Sequence, residues 1–281
     1  MQAFQDRVAV ITGAASGIGH HLALRCVQEG MKVVLADIEE AALRHTAAEL
    51  QAAGAQVLTV VTDVSKASDV TALAQQTLAT FGAVHLLCNN AGVGAGTTIW
   101  ESTLADWEWV LGVNLWGVIH GVRVFVPIML AQDTECHIVN TASIAGLIAH
   151  PGAGIYKVTK HGIVTLSETL YYELAERGAK VHVSVLCPAR VPTRILDSAR
   201  NRPGALQNDP TEKGSSGVIA RRPAAGQAIP TEITPEQIAD SVFTAIRENR
   251  LYVLTHPESK AWVRERMENI LAEQNPVLPE A

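Results

Sequence analysis

Tyr156 and Lys160 stand four residues apart in the stretch GIYKVTKHG, residues 154–162. On a helix, positions four apart lie on the same face, so the two side chains could act together. A free tyrosine has a pKa of about 10, and a neighbouring cation favours its phenolate. The pair could therefore supply an acid–base group near neutral pH, or it could be an ordinary pair on a helix surface. The spacing alone leaves both interpretations open.

A glycine-rich turn near the N-terminus is typical of a dinucleotide site. The stretch VAVITGAASGIGHHLALRC, residues 8–26, predicts a strand, a turn that contains Gly13, Gly17 and Gly19, and a helix. Glycines allow the amide groups at the helix N-terminus to approach a pyrophosphate closely. The spacing Gly-x-x-x-Gly-x-Gly differs from the Gly-x-Gly-x-x-Gly of the general dinucleotide fingerprint. The turn alone is weak evidence, and its place between strand and helix strengthens it.

Asp37 ends the next apolar run, KVVLAD. An acidic group at that position can accept a hydrogen bond from a ribose 2′-hydroxyl and would repel a 2′-phosphate. Neither Ile38 nor the turn residues 14–16 are basic, so the sequence favours NAD over NADP. A simple N-cap for the following helix is the alternative role for Asp37.

Short apolar runs alternate with segments whose apolar residues recur every three or four positions. This alternation predicts βαβ units, and hence a single α/β domain over residues 1–281 with a doubly wound (Rossmann) parallel sheet and helices on both faces. Glycines at 30, 54, 82 and 178 are predicted to end helices. The seven predicted strands are RVAVITG, MKVVLAD, QVLTVVTD, VHLLCNNAG, HIVNTAS, VHVSVLCP and LYVLT.

Two segments depart from the alternation. Residues 194–230 are rich in Pro, Gly, Asn, Arg and Ser, and a long insert of this kind is typically a substrate lid or a solvated tether. Residues 257–273 predict a C-terminal helix. Its Val263, Met267 and Ile270 share a face, which we expect to dock on the body of the domain or on a second subunit.

The composition excludes several classes of function. A net charge of −6 and a pI near 5.9 argue against a nucleic-acid partner. No signal peptide is visible and no membrane span is predicted, because residues 109–122, the most apolar stretch, contain Asn114 and His120 and predict a buried helix. Four scattered cysteines indicate reduced thiols in a cytoplasmic protein. The ten histidines lack metal-ligand spacing, so no metal is expected.

Several motifs, in order, resemble the short-chain dehydrogenase/reductase family over essentially the whole chain. TGAASGIG at 12–19 is similar to the family's cofactor turn, DV at 63–64 to the pair that holds the adenine, and NNAG at 89–92 to the motif that ends the fourth strand. PARVPT at 188–193 resembles the nicotinamide segment Pro-Gly-x-Val-x-Thr, with Ala189 in place of the glycine. The resemblance implies a seven-stranded sheet and NAD(P)-linked interconversion of alcohols and ketones.

The resemblance also implies a catalytic tetrad of Asn114, Ser143, Tyr156 and Lys160. Tyr156 would be the acid and base, Ser143 would bind the substrate oxygen, Lys160 would bind the nicotinamide ribose, and Asn114 would hold a water that links Lys160 to solvent. A homo-oligomer, a tetramer or a dimer, would form through the helices that carry Asn114 and Tyr156. The expected cofactor residues are Gly13, Ser16, Gly17, Ile18, Gly19, Asp37, Ile38, Asp63, Val64, Asn90, Ala91, Gly92, Tyr156, Lys160, Pro188, Val191 and Thr193. The expected substrate residues are Ser143, Ala145, His150, Tyr156 and Ala189.

The sequence therefore predicts an NAD-dependent secondary-alcohol dehydrogenase. The apolar stretch SIAGLIAHPGAG after the fifth strand favours a hydrophobic or aromatic substrate, and residues 94–97 are a further candidate pocket wall. An NADPH-dependent ketone reductase of the same fold is the nearest alternative, and Asp37 argues against it. A catalytically idle dinucleotide-binding regulator is the other alternative, but such a protein has no need of Ser143 and Tyr156 together.

Overall fold

The computed structural model describes residues 1–94, 97–209 and 232–277. Within these ranges, strands and helices alternate as the periodicity predicts. The strands are β1 (Val8–Thr12), β2 (Lys32–Asp37), β3 (Val57–Val61), β4 (Leu86–Asn89), β5 (Cys136–Thr141), β6 (Val181–Leu186) and β7 (Tyr252–Val253). The α-helices are α1 (Gly17–Gln28), α2 (Glu40–Ala52), α3 (Ala67–Phe81), α4 (Leu104–Val110), α5 (Gly117–Gln132), α6 (Gly154–Glu176), α7 (Pro235–Arg247) and α8 (Ser259–Leu271).

The strands form one parallel sheet in the order β3-β2-β1-β4-β5-β6-β7. The chain moves outward from β1 to β3 and then returns to place β4 on the other side of β1. Ligands of open α/β sheets bind at such a switch point, outside the carboxyl ends of the strands. The predicted doubly wound Rossmann sheet is confirmed, and its switch point lies between β1 and β4.

Helices cover both faces of the sheet, and each face has its own apolar core. Ile11 packs in one cluster with Leu22 of α1 and Phe243 of α7. Its neighbour Val10 packs on the opposite face with Phe125 of α5. Successive strand residues point to opposite faces, so a strand that is buried on both sides is a continuous apolar run. This is why β1 and β2 are recognisable in the sequence.

Glycines follow or cap the helices where the sequence predicts it. Gly30, Gly54, Gly82 and Gly178 have φ angles of 77°, 85°, 75° and 63°. In this left-handed region glycine has no Cβ to clash with the backbone. The Gly82 amide donates to the Leu78 carbonyl at 2.9 Å and so closes α3.

The helical segment that carries Asn114 changes its winding near the predicted site. The sequence predicts one long helix there, whereas the structure has α4, a π-helical turn at Leu111–Trp116, and α5. Such turns occur frequently at functional sites. The combined stretch Leu104–Gln132 is apolar and long enough to cross a membrane by composition alone. However, its Phe125 and Met129 are fully buried in the core against the sheet, which is the position predicted for a buried helix.

The structure describes part of the predicted lid, residues 194–230, and the predicted C-terminal helix, residues 257–273. Residues 194–209 of the predicted lid contain 3₁₀ helices at Arg194–Asn201 and Gly204–Leu206, and the rest of the lid prediction lies outside the described residues. Residues 95 and 96 of the predicted pocket wall also lie outside them. The C-terminal helix is present as α8, but Met267 and Ile270 are 46% and 52% exposed. About half of each side chain is therefore covered, and docking of this face on the body or on a second subunit stays a prediction.

Candidate active site

A cleft of about 1220 Å³ lies at the carboxyl ends of the strands. Loops from β1 to β6 contribute to its wall, and most of the residues selected from the sequence meet there. The residues selected from the sequence that line the cleft are Gly13, Ser16, Gly17, Ile18, Asp37, Ile38, Asp63, Val64, Asn90, Ala91, Gly92, Ser143, Tyr156, Lys160, Pro188, Ala189, Val191 and Thr193. Four selected residues are not part of this lining: Gly19, Asn114, Ala145 and His150.

The glycine-rich turn after β1 is folded tightly against its neighbours. Gly13 and Gly17 have φ angles of 65° and 55°. A Cβ atom on Gly19 would lie 2.0 Å from the Gly13 carbonyl oxygen, so no larger residue fits behind the turn. Ser16, the N-cap of α1, makes no side-chain hydrogen bond to the first turn of that helix. The first amides of α1 are therefore available to an anion, and the turn fits a pyrophosphate.

Asp37 connects the end of β2 to this turn. Its carboxylate accepts hydrogen bonds from the amides of Ala15 at 2.9 Å and Glu39 at 3.0 Å. The N-cap of α2 is Glu39, so the alternative role of Asp37 as that cap is wrong. Burial raises the pKa of Asp37, while the hydrogen bonds from Glu39 and Ala15 act in the opposite direction. The carboxylate is thus held at the edge of the cleft, where it can accept from a ribose hydroxyl.

Asn90 joins three strand ends beneath the cleft. Its side-chain amide donates to the Thr12 carbonyl at 3.1 Å, and its backbone amide donates to the Thr12 hydroxyl at 2.9 Å. The Thr141 hydroxyl donates to the side-chain Oδ1 of Asn90 at 3.3 Å. A Cβ atom on Gly13 would come within 2.8 Å of the Ala91 Cα, which explains why glycine is needed at this crossing. The ends of β1, β4 and β5 are therefore held in a fixed relation.

Ser143, Tyr156 and Lys160 converge at the end of the cleft beside Pro188. Tyr156 lies in the first turn of α6, directly after the left-handed residues Gly152 and Ala153. The Lys160 Nζ lies 5.3 Å from the centre of the Tyr156 ring. The Tyr156 phenol and the Ser143 hydroxyl are hydrogen-bonded to each other. The predicted same-face arrangement of Tyr156 and Lys160 is present, and it faces a cleft rather than solvent.

Burial shifts the pKa values of both Tyr156 and Lys160 at this end of the cleft. Burial raises the pKa of Tyr156 to about 12, against the smaller lowering effect of Ser143. Burial also lowers the pKa of Lys160 to about 8, and the Lys160 Nζ donates to the Thr141 carbonyl at 2.9 Å. The sequence-based expectation of a lower pKa for Tyr156 combines Lys160 with the positive nicotinamide ring of bound NAD, so for the cofactor complex it stays a prediction. The cost of placing a phenolate in this buried position outweighs the nearby amine.

Asn114 lies behind the cleft and is fully buried. Its side-chain oxygen accepts from the Val93 amide at 2.8 Å, and its Nδ2 donates to the Val93 carbonyl at 3.0 Å and to the Thr159 hydroxyl at 3.3 Å. The side chain therefore joins the loop after β4 to α6. Its role toward a water and Lys160 stays a prediction.

Ala145 and His150 follow Ser143 in the chain but are not among the residues that line the cleft. The Ala145 amide donates to the Ser143 hydroxyl oxygen at 3.1 Å, so its contribution is to orient that hydroxyl. The His150 Nδ1 lies 2.9 Å from the carbonyl oxygen of its neighbour Pro151. The role of His150 as a substrate residue stays a prediction.

His256 is a site residue that the sequence does not reveal. It is fully buried after β7, and its Nδ1 accepts from the Ala189 amide at 3.2 Å. A ring nitrogen that accepts from a backbone amide carries no proton, so Nε2 holds the proton and donates to the Arg190 carbonyl at 3.2 Å. His256 thus fixes the backbone of the predicted nicotinamide segment on both sides of residue 189. No spacing rule connects a histidine at 256 to that segment, because only the neighbouring positions of β6 and β7 bring them together.

Comparison with known proteins identifies the family. The family model for the short chain dehydrogenases matches residues 7–204. The chain belongs to the short-chain dehydrogenase family. A structure of a short-chain dehydrogenase/reductase from Burkholderia phymatum in complex with NAD superposes with a TM-score of 0.93, at 50% identity and with 100% of both chains covered.

Two curated relatives of this short-chain dehydrogenase cover nearly its full length. It is 36% identical to the CLA biosynthesis dehydrogenase/reductase of Lactiplantibacillus plantarum over 98% of this chain and 97% of the relative. It is 34% identical to the 1-deoxy-11-beta-hydroxypentalenate dehydrogenase of Streptomyces exfoliatus over 95% of this chain and 89% of the relative. The family and the single-domain fold predicted from the motifs are confirmed, and the protein is an oxidoreductase of a family that uses NAD(P).

Proposed function

We propose that this short-chain dehydrogenase interconverts a hydrophobic or aromatic secondary alcohol and its ketone with NAD as cofactor and Tyr156 as acid and base. Its main support is the meeting of Ser143, Tyr156 and Lys160 at one end of a cleft whose other end holds the glycine-rich turn and Asp37. A binding module for a dinucleotide has no need of the first three side chains in one place.

In this reaction the Tyr156 phenolate takes the proton of the substrate hydroxyl while the carbinol hydrogen leaves as hydride. Bound NAD would supply the hydride acceptor and a positive nicotinamide ring, whose charge favours the phenolate. The Ser143 hydroxyl, which donates to the Pro188 carbonyl at 3.3 Å, can turn to the substrate oxygen. Lys160 would hold the nicotinamide ribose, and Thr193 would hold the carboxamide.

Two features support the choice of cofactor and substrate class. The Asp37 carboxylate lies at the cleft edge, where it would repel a 2′-phosphate, and the relative from Burkholderia phymatum binds NAD. Apolar side chains, among them Val93, Trp109 and Leu196, contribute to the cleft wall. The name of the hydroxypentalenate dehydrogenase describes a hydroxyl compound as substrate, which agrees with oxidation of an alcohol.

A parallel absorbance assay tests the proposal. NAD and NADP are each offered with secondary alcohols that range from small aliphatic compounds to aryl carbinols and steroids, and NADH binding is followed by fluorescence. We expect turnover with NAD on the hydrophobic or aromatic members. Turnover that requires NADP(H) would favour the ketone reductase, and NADH binding without turnover across the panel would favour the idle regulator.

We also propose a cytoplasmic homo-oligomer, a tetramer or a dimer, that forms through the α5 and α6 region. Trp116 and Val158 expose 49% and 44% of their surface around these helices, and an interface through this region would cover them. Light scattering on the purified protein tests this assembly. A mass near the 30.0 kDa of one chain would contradict it.

A further inference from the structure

Glu39 binds two arginines that come from a distant part of the chain. Its Oε1 accepts from the Arg200 guanidinium at 2.6 Å and 3.1 Å and from the Asn201 side-chain amide at 2.9 Å. Arg194 lies on the other carboxylate oxygen at 3.7 Å. The side chains of Glu39 and Arg200 are only 21% and 22% exposed, so this pair is partly shielded from solvent. The arginine interactions lower the pKa of Glu39, and the hydrogen bond from Arg200 is the largest cause.

These groups lie at the same edge of the cleft as Asp37. The Glu39 amide donates to the Asp37 carboxylate, and the cleft lining includes Glu39, Arg194 and Arg200. Asp37 is the residue proposed to meet the adenosine ribose. The basic side chains that a 2′-phosphate needs are therefore present near that ribose, although none lies next to Asp37 in the sequence.

We propose that Glu39 is a second determinant of cofactor choice, because it pairs with two arginines, chiefly Arg200, that would otherwise bind the 2′-phosphate of NADP. This inference rests on the proposed function, in which Asp37 marks the adenosine ribose. The Arg200 Nε and Nη2 donors that bind the Glu39 carboxylate can bind a phosphate only if they leave that carboxylate, and hydrogen bonds between two charged groups are among the strong ones. Asp197 also faces both arginines. It lies 3.7 Å from the Arg200 guanidinium, farther than Glu39 at 2.6 Å, but it lies 3.5 Å from Arg194, slightly nearer than Glu39 at 3.7 Å. Arg200 is therefore the arginine that Glu39 chiefly occupies.

The discrimination of NAD from NADP then has two parts. Asp37 repels a 2′-phosphate directly, and Glu39 removes the attraction that Arg194 and Arg200 would provide. Removal of Asp37 alone should leave the arginines occupied and NADP still weakly bound. Removal of both carboxylates should free the Nε and Nη2 donors of Arg200, while its Nη1 keeps its hydrogen bonds to the Arg194 and Asp197 carbonyls.

The test measures binding of adenosine 5′-monophosphate and adenosine 2′,5′-bisphosphate by calorimetry, which requires no turnover. The series is wild type, Asp37→Ser, Asp37→Ser/Glu39→Gln, and the last variant with Arg200→Met added. Glutamine keeps the shape of Glu39 and removes its charge. In the Asp37→Ser background, we expect Glu39→Gln to raise the preference for the bisphosphate over the monophosphate by about tenfold, which corresponds to the free energy of one charge-assisted hydrogen bond. Adding Arg200→Met to the double variant should remove most of that gain. As a control, Arg177→Met is added to the same double variant; Arg177 is exposed at the end of α6, and its loss should leave the gain unchanged.

The outcomes separate the inference from the proposed function. If Glu39→Gln changes the affinity of both nucleotides by the same factor, Glu39 only anchors residues 194–201 and the inference is wrong. A gain that survives Arg200→Met would also overturn it, because the effect would then be loss of repulsion by Glu39. If wild type binds neither the monophosphate nor NADH, the nucleotide site itself is wrong, and the proposed function fails with it.

Discussion

Replacing Tyr156 with phenylalanine should lower turnover by about 10²–10⁴-fold, the usual contribution of a positioned acid–base group, and should leave NADH binding unchanged. The substitution removes the phenolic oxygen that would exchange a proton with the substrate and keeps the ring beside Lys160. Steady-state assays give turnover, and fluorescence titration gives NADH affinity. Tyr172→Phe is a matched control on the same helix, because Tyr172 is 70% exposed and is not part of the cleft lining.

The pH dependence of the wild-type enzyme gives the same prediction a second readout. Alcohol oxidation needs the phenolate and ketone reduction needs the phenol. Because burial raises the pKa of Tyr156 to about 12 in the protein alone, the phenol is the dominant form at neutral pH. Oxidation should therefore accelerate as the pH rises and reduction should slow. Unimpaired turnover in Tyr156→Phe, or equal pH profiles for the two directions, would contradict the assignment of the base.

Much of the fold could be predicted from the sequence because the physical signals are local. A strand that is buried on both faces is apolar at nearly every position. A helix commonly ends at a residue that can adopt the left-handed conformation, which is usually glycine. Val8–Thr12 and the left-handed Gly82 are examples of these two signals. The cofactor turn can also be recognised in the sequence, because a Cβ atom at Gly13 or Gly19 would collide with a neighbouring backbone and only glycine fits there. Constraints of this kind act within a few residues and can be recognised in one chain.

The parts of the site that the sequence does not reveal depend on contacts between distant segments. Ile38 and the residues of the cofactor turn suggest that no basic group is near Asp37, yet Arg200 reaches Glu39 across 161 positions. His256 meets Ala189 across 67 positions. The pKa of Tyr156 is also non-local, because it depends on how deeply α6 and the loop after β6 bury the phenol. Residue types and spacing identify the reacting groups, but the folded chain sets their protonation and their partners.

A second large effect is expected at Gly19, behind the cofactor turn. In Gly19→Ala the new methyl group would lie 2.0 Å from the Gly13 carbonyl oxygen and 2.6 Å from the Asn90 Nδ2. Backbone cannot move aside as the end of a flexible side chain can, so the turn must open and shift the Asn90 side chain that binds it. We expect the free energy of unfolding to fall by about 1–3 kcal/mol, the usual cost of overpacking.

Cofactor binding should suffer more than stability does. The amides of α1 must point at the pyrophosphate together, and a displacement of about 1 Å in a positioned site can cost on the order of 10²-fold in function. Urea unfolding gives the stability, and NADH fluorescence titration gives the affinity. Gly204→Ala is the matched control, since Gly204 has no atom within 4 Å of its Cβ position and should change stability by no more than about 0.5 kcal/mol. If Gly19→Ala binds NADH as tightly as Gly204→Ala does, the turn does not hold the pyrophosphate, and the placement of the cofactor along Gly13, Gly17 and Asp37 would have to be abandoned.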